Sequence, residues 1–271
     1  MSESQTAPIV LVHGIFGFNQ LTLGGLKVAD YFRLIPDALR GDGHVVPAPP
    51  QLNPAGSVAE RAEDLKNYLQ SNSEVLDKKV HIVAHSMGGL DARFMISKLE
   101  MAERVLSLTT IGTPHHGTPI ADIVSQHTNP ALNQFVGHLG IDIKAASDLT
   151  TGACRQFNLD VPDAPGIGYF SIAGKFEPPR TLKHPHGLLG LPHDIVSERE
   201  QSNDGFVSVQ SATFAERSEM WTSLDVWEAN HFRLINWGNN ILPSLLDLND
   251  NTFVEKYRTL VARVKELVAS R

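Results

Sequence analysis

The segment from Val80 to Leu90 constrains the fold more than any other part of the chain. It reads VHIVAHSMGGL, so an apolar run rich in β-branched residues ends at a serine, and a stretch compatible with a helix follows. A strand, a sharp turn with a serine at its apex and a helix form a nucleophile elbow. The residues two before and two after Ser86 must be small, and they are Ala84 and Gly88. The structural alternative is a loop in which the serine only caps a helix.

Apolar runs alternate with stretches of helical periodicity along most of the chain. Strands are predicted at residues 8–12, 44–46, 80–85, 105–111 and 168–173, and helices at residues 31–40, 57–69, 90–100 and 253–268. Short strands are also expected at residues 206–209 and 220–224, and irregular structure at residues 174–200. This alternation is typical of an α/β fold, a mostly parallel central sheet with helices on both faces.

The region from residue 118 to about residue 165 breaks the alternation. It contains weakly amphipathic helical pieces at residues 120–124, 132–139 and 149–157. Insertions at the carboxyl edge of such a sheet are where lids are found. We therefore expect a single domain over residues 1–271, with a helical lid insertion at approximately 118–165.

Composition excludes several classes of protein. Lys and Arg number 23 against 30 Asp and Glu, and the resulting net charge of −7 argues against a nucleic-acid partner. Cys154 is the one cysteine, so no intramolecular disulfide forms, as suits a reducing compartment. Residues 1–8 lack the apolar core of a secretory signal, and no run approaches the ~20 apolar residues of a membrane span. We expect a cytoplasmic protein, or one secreted without a cleaved signal peptide.

A serine hydroxyl is a weak nucleophile until a base takes its proton and an acid orients that base. In elbow-type folds the chain order is serine, acid, histidine. His231 is the one histidine after residue 200, and Asp204 lies in the turn sequence Asn-Asp-Gly before it. Asp194 and Asp225 are the rival acids. The predicted catalytic residues are Ser86, Asp204 and His231.

Acyl transfer passes through an oxyanion that backbone N–H donors stabilise. One donor is expected from Met87, directly after the nucleophile, and the other from the loop after an early strand. That loop reads His13-Gly14-Ile15-Phe16, so Ile15 is the predicted second donor and Phe16 the alternative. His13 itself is expected to order this loop through hydrogen bonds.

Several segments now carry a family resemblance, and they follow one another in the family's order: PIVLVHGIFGFN at residues 8–19, AHSMGG at 84–89, GTPHHGT at 112–118, NDGFV at 203–207 and NH at 230–231. The elbow alone indicates the α/β-hydrolase fold. Together the segments resemble the bacterial triacylglycerol lipases of the Pseudomonas, Burkholderia and Proteus type, over nearly the whole chain. The resemblance implies the same triad, the same oxyanion donors, and a mobile lid over an apolar acyl pocket.

Three positions depart from the family pattern. Ala84 replaces the first elbow glycine, as it does in the small Bacillus-type lipases. The disulfide of the secreted Pseudomonas-type members cannot form with Cys154 alone. Those members bind calcium through an aspartate two residues after the catalytic histidine, and Arg233 occupies that position here.

No cofactor or metal is expected. His115 and His116, and a second group made of His184, His186, His193 and Asp194, are metal-ligating residue types. Neither group has a helix-spaced pair or a cysteine partner of the kind that zinc sites use. A zinc site is therefore not predicted.

The leading hypothesis is a serine carboxylic-ester hydrolase that cleaves acyl glycerols, with a lipid or ester substrate at a lipid–water interface as its partner. The same chemistry would serve a short-chain esterase, a polyester depolymerase or a thioesterase. A non-catalytic binding protein on the same fold is the remaining alternative. The sequence carries no signal for the oligomeric state.

Overall fold

A five-stranded parallel sheet forms the centre of the molecule. The computed structural model describes residues 2–15, 20–23, 26–138, 143–178, 189–214, 219–237 and 251–271. The strands are β1 Ile9–Val12, β2 Gln20–Leu23, β3 Leu26–Asp30, β4 Val80–His85, β5 Val105–Ile111, β6 Gly168–Lys175 and β7 Trp221–Glu228. The central sheet has the order β1-β4-β5-β6-β7 with parallel neighbours, and β2 and β3 form a separate antiparallel hairpin.

Helices connect the strands. They are α1 Glu3–Thr6, α2 Ile35–Gly41, α3 Val58–Ser71, α4 Gly88–Lys98, α5 Pro119–Ser125, α6 Pro130–His138, α7 Ile143–Ser147, α8 Thr151–Asp160, α9 Gly190–Glu200, α10 Val209–Thr213 and α11 Thr252–Ala269. Short 3₁₀ turns cover Ala102–Arg104 and Arg233–Ile235. A capping box begins α3, because Ser57 Oγ accepts from the Glu60 N–H and the Glu60 carboxylate accepts from the Ser57 N–H. No helix in the described ranges is both long and apolar enough to cross a bilayer.

Each face of the sheet has its own core, because successive side chains of a strand point to opposite faces. In β1, Ile9 and Leu11 pack with α2 and α11, whereas Val10 and Val12 pack with α3 and α4. All four of these side chains are buried, as expected for a sheet covered on both faces. The predicted fold class is confirmed.

The carboxyl edge of the sheet gathers the segments with predicted chemistry. Strand β4 ends at His85, directly before Ser86, and in the register with β5 His85 lies beside Ile111, directly before Gly112. Strand β7 ends at Glu228, shortly before His231. Ligands of open α/β sheets bind at this edge.

Three local predictions were wrong. Residues 44–46 form no strand, and the Ile9 N–H bonds the Val45 carbonyl. Residues 206–209 form a turn and the start of α10, because Asp204 and Ser208 bond nearby backbone N–H groups. The region predicted to be irregular, residues 174–200, contains α9. Strands β2 and β3 were not predicted from the sequence.

Candidate active site

Ser86 is held in a strained backbone conformation at the apex of the elbow. Its φ of 56° lies in the left-handed region, which costs a non-glycine residue roughly 1–3 kcal/mol. The turn is fixed from both sides, because the Ser86 N–H donates to the Ile111 carbonyl and Thr113 Oγ1 donates to the Ser86 carbonyl. A Cβ at Gly88 would lie 2.7 Å from the His13 carbonyl oxygen. The expectation of a small residue at that position therefore has a direct steric cause.

Ser86, His231 and Asp204 lie in hydrogen-bond contact, although 145 residues separate the first two in sequence. Ser86 Oγ lies 3.0 Å from His231 Nε2, and His231 Nδ1 lies 2.7 Å from Asp204 Oδ2. All three residues are buried. A carboxylate can only accept, so Nδ1 carries the proton that it shares with Asp204 and Nε2 is left to accept from the serine hydroxyl.

The Asp204 carboxylate is oriented by its own loop. Its Oδ1 accepts hydrogen bonds from the N–H groups of Phe206 at 3.0 Å and Val207 at 2.8 Å, which leaves Oδ2 directed at His231. The rival acids lie elsewhere, since Asp194 is on α9 beside His193 and Asp225 lies within β7. The turn that begins at Asn-Asp-Gly therefore orients the Asp204 carboxylate.

His231 follows β7 in a loop tied to the Asp204 loop. Its N–H donates to the Asp204 carbonyl at 2.8 Å, and Asn230 Oδ1 accepts from the N–H groups of Phe232 and Arg233. The imidazole packs against the Phe206 ring at a centroid distance of 5.4 Å. The backbone and the ring are therefore both constrained.

Ile15 and Met87 present free N–H groups beside Ser86. Met87 is the N-cap of α4, and Ile15 is the second residue of the loop after His13. Neither N–H donates a hydrogen bond to any described residue, which leaves both available to a ligand oxygen. The alternative donor, Phe16, lies outside the described residues. The side chains of Ile15 and Met87 pack in one small apolar cluster with α5 and α7.

An ion pair that sequence reasoning missed braces the loop that carries Ile15. Arg61 of α3 and Asp91 of α4 are both fully buried and meet at 2.8 Å. Arg61 also donates to the carbonyls of His13 at 2.9 Å and Gly14 at 3.2 Å. Burial raises the pKa of Asp91 to about 7, even with the guanidinium beside it. Arg61 therefore supplies the buried carbonyls of His13 and Gly14 with the hydrogen bonds that water would supply to an exposed loop.

His13 orders the same loop, as expected from the sequence. Its Nε2 accepts from the Leu52 N–H at 3.1 Å, so its Nδ1 donates to the Gly14 carbonyl at 2.8 Å. Burial and, to a smaller extent, the charge of Arg61 lower the pKa of His13 to about 4. His13 is therefore a neutral structural residue near neutral pH.

Gly112→Ala is expected to lower stability by about 1–3 kcal/mol and kcat by roughly tenfold. Gly112 has a φ of 58°, and a Cβ there would lie 3.1 Å from Asp204 Oδ2 and 2.8 Å from Leu234 Cδ1. The methyl group would push the carboxylate away from His231. Urea unfolding and initial rates measure the two effects.

Gly166→Ala is the matched control for that substitution. Gly166 has a φ of 82°, but a Cβ there would meet no atom within 4 Å. It therefore shares the backbone strain without the contact, and its kcat is expected to equal that of the wild type. Equal kcat values for the two variants would contradict the steric explanation.

An apolar cavity of about 50 Å³ opens beside Ser86 and His231. Its lining is almost wholly aliphatic or aromatic and comes from the loop that carries Ile15, the loop that carries Asp204, helices α5, α6 and α7, and the segments beside α5 and α7. The lining residues are Ile15, Pro114, Thr118, Ile120, Ala121, Val124, Val136, Ala146, Leu149, Phe206 and Val207. A hydrophobic group of a ligand would fit there, with its polar end at Ser86.

The histidines weighed as metal ligands have other partners or fall outside the description. His115 is buried, its Nδ1 accepts from Arg93, and its Nε2 donates to Thr110 Oγ1. His184 and His186 are not among the described residues. In the ranges that the structure describes, no three His, Cys, Asp or Glu side chains are grouped to hold a metal.

Comparison with known proteins identifies the family. The chain is 41% identical to a triacylglycerol lipase of Vibrio cholerae, over 96% of this chain and 88% of that protein. The chain belongs to the triacylglycerol lipase family. It is also 33% identical to triacylglycerol lipase 2 of Saccharomyces cerevisiae, over 69% of this chain, and spans only 56% of the yeast protein's length. The predicted family is confirmed.

The fold comparison agrees with the family. Residues 58–159 match the model of a PGAP1-like alpha/beta domain. The mature lipase of Bacillus licheniformis superposes with a TM-score of 0.68 at 24% identity, covering 90% of this chain and 91% of that one. This family member therefore has the α/β-hydrolase fold.

Proposed function

We propose that this chain hydrolyses the carboxylic esters of acyl glycerols through an acyl-Ser86 intermediate. The observation that carries the proposal is the continuous hydrogen-bonded series Ser86 Oγ, His231 and Asp204, placed at the carboxyl edge of the sheet. Such a series activates a serine that would otherwise be a weak nucleophile. The name of the Vibrio relative supports the substrate class.

In the first half of the reaction, Ser86 Oγ bonds to the ester carbonyl carbon while His231 Nε2 takes the hydroxyl proton. The carbonyl electron pair moves to oxygen, and the N–H groups of Ile15 and Met87 stabilise the resulting oxyanion. Asp204 stabilises the imidazolium through Nδ1. When the oxyanion collapses, the bond to the alcohol oxygen breaks, and the alcohol leaves with the proton from Nε2.

In the second half, water replaces the alcohol. His231 Nε2 takes a proton from water as the water oxygen bonds to the acyl carbon. The second oxyanion collapses, the bond to Ser86 Oγ breaks, and the serine recovers its proton from His231. The products are a carboxylic acid and the free enzyme, so no cofactor enters the balance.

The apolar cavity is the proposed acyl pocket, and residues 118–165 are the proposed lid of a single domain. Ile120 and Val124 of α5, Val136 of α6 and Ala146 of α7 all line the cavity. A displacement of these helices would enlarge the pocket and expose its apolar lining. A lipid–water interface would favour that state because it would cover the exposed lining.

A short-chain esterase is the second candidate, and the small volume of the cavity favours it. About 50 Å³ accommodates only the first carbon atoms of an acyl chain. The two candidates share their mechanism and differ in whether the helices over the pocket move. Chain-length preference therefore distinguishes them.

Initial rates on tributyrin and on emulsified triolein test the proposal, with Ser86→Ala as the measure of background hydrolysis. We expect turnover of both substrates to depend on Ser86, and diethyl p-nitrophenyl phosphate to label one site per chain. Serine-dependent rates on tributyrin alone would favour the esterase. Hydrolysis that persists in Ser86→Ala, or substoichiometric labelling of the wild type, would contradict the mechanism.

A further inference from the structure

Two buried side chains next to the proposed active site have no part in the chemistry described so far. Tyr31 precedes α2 and is 1% exposed, and His85 is the last residue of β4 and is 0% exposed. Their rings lie 5.7 Å apart, and the His85 ring lies 4.5 Å from the His231 ring. Burying two polar side chains is costly unless their hydrogen bonds are made.

The hydrogen bonds of this pair allow one arrangement of protons. His85 Nε2 lies 3.1 Å from the His231 carbonyl oxygen, which can only accept, so Nε2 carries the proton. In a neutral ring Nδ1 then accepts, and it lies 2.7 Å from the Tyr31 hydroxyl, which donates to it. The Tyr31 oxygen in turn accepts from the Gly14 N–H at 2.9 Å. The result is one directed chain from Gly14 through Tyr31 and His85 to the His231 carbonyl.

His85 stays neutral throughout a catalytic cycle. Burial lowers the pKa of His85 well below its usual value, and a charge on neighbouring His231 lowers it further. The donor at Nε2 and the acceptor at Nδ1 therefore keep their roles when His231 becomes an imidazolium. The chain of hydrogen bonds does not reverse during the reaction.

We propose that Tyr31 and His85 are positioning residues. They hold the loop of Gly14 and Ile15 and the backbone of His231 at a fixed separation on either side of Ser86. The proposal rests on the proposed function. Because the Gly14 N–H is committed to Tyr31, the N–H of the next residue, Ile15, is left for the oxyanion. A Cβ at Gly14 would lie 2.7 Å from Ser86 Cβ and 2.9 Å from the Tyr31 hydroxyl, so the loop and the serine are tightly packed.

Tyr31→Phe is expected to lower kcat by roughly 10- to 100-fold with little change in KM. The substitution keeps the ring and removes the hydroxyl, so Gly14 and His85 lose their shared partner. Oxyanion contacts strengthen in the transition state, whereas the acyl pocket is lined by other side chains, so kcat and not KM carries the effect. Rates are expressed per active site titrated with diethyl p-nitrophenyl phosphate, which removes any misfolded fraction from the comparison.

Tyr169→Phe is the matched control. Tyr169 is also 1% exposed, and its hydroxyl also accepts a backbone N–H, that of Ala164, at 3.0 Å, but it lies in β6 away from the triad. Both variants are expected to unfold at lower urea concentration than the wild type, and only Tyr31→Phe to lose kcat. Equal kcat values per titrated site in the two variants would overturn the proposal and reduce Tyr31 to a stabilising residue.

A double-mutant cycle tests whether the two residues act as one unit. We expect kcat in Tyr31→Phe/His85→Leu to equal kcat in His85→Leu, because the chain of hydrogen bonds is already interrupted. A kcat in the double variant that is lowered by the product of the two single-variant factors would contradict a shared role. Wild-type protein that is neither labelled nor active would instead refute the proposed function, so the two failures are distinguishable.

Discussion

Asp204→Asn is expected to lower kcat for ester hydrolysis by roughly 10⁴-fold while the fold remains intact. Asp204 Oδ1 accepts from the N–H groups of Phe206 and Val207, and an asparagine would keep its carbonyl oxygen there. Its NH₂ group would then face His231 Nδ1. Since NH₂ only donates, Nδ1 would have to accept, and the imidazole proton would move to Nε2. In that tautomer His231 cannot take the proton of Ser86.

Asp225→Asn is the control for this variant. Asp225 is exposed, lies within β7, and accepts through Oδ1 from the Val226 N–H. Its substitution is expected to leave kcat unchanged. Initial rates on tributyrin measure both variants, and urea unfolding compares their stabilities. A loss of kcat in Asp225→Asn, or a rate within tenfold of wild type in Asp204→Asn, would contradict the assignment of the acid.

Strong local patterns made much of the sheet predictable. Strand β1 is a continuous apolar run, and most residues of β4 and β5 are apolar or β-branched, because both faces of these strands are buried. Such runs are visible in a sequence. The triad candidates followed from chain order, since the elbow fixed Ser86 and one histidine remained beyond residue 200. The roles of the three residues stay predictions until the variants are measured.

The wrong local predictions arose where side-chain hydrogen bonds or position in a helix outweighed the apolar pattern. Residues 206–209 are apolar enough for a strand, but the Asp204 carboxylate turns the chain there. Helix α9 was missed because residues 174–200 contain four prolines, which suggested irregular structure. Pro192 occupies the first turn of α9, where backbone N–H groups have no partner within the helix, so a proline costs no hydrogen bond there.

The residues that brace the site could not be predicted because their partners are distant in sequence. Arg61 occupies an ordinary position of α3, and only the packing of α3 against α4 brings it to Asp91, 30 residues away. Tyr31 and His85 are 54 residues apart. No local spacing in the sequence predicts a contact of this kind. The triad candidates lie in recognisable motifs, whereas the residues that support them do not.

The protein is expected to lose stability steeply as the pH falls below about 6.5, because four buried histidines each accept a hydrogen bond. His13 accepts from the Leu52 N–H, His81 from Ser107, His85 from Tyr31 and His115 from Arg93. Protonation would place a donor against a donor at His13 and His115, and would remove the hydrogen bond that His81 and His85 accept from a hydroxyl.

The pKa values set the sign and the range of the effect. Burial lowers the pKa of both His13 and His81 to about 4, and lowers those of His85 and His115 well below 6.5. Below pH 6.5 the unfolded chain binds protons at these positions and the folded chain does not, so the free energy of unfolding falls with pH. Each such group lowers the free energy of unfolding by about 1.4 kcal/mol per pH unit, until the pH reaches the pKa of that group in the folded protein. At pH 5, His13 and His81 alone contribute a loss of about 4 kcal/mol, a large share of the ~5–15 kcal/mol that stabilises a typical domain.

Urea unfolding followed by tryptophan fluorescence at pH 7, 6 and 5 measures this loss. His81→Gln removes one of the titrating groups, and its free energy of unfolding is expected to fall less steeply with pH, by about 1.4 kcal/mol per unit. His127→Asn is the control, because His127 is exposed and an asparagine tolerates its φ of 54°. The same slope in wild type and His81→Gln would show that His81 is not protonated on unfolding. A changed slope in His127→Asn would move the origin of the acid sensitivity from the buried histidines to the surface.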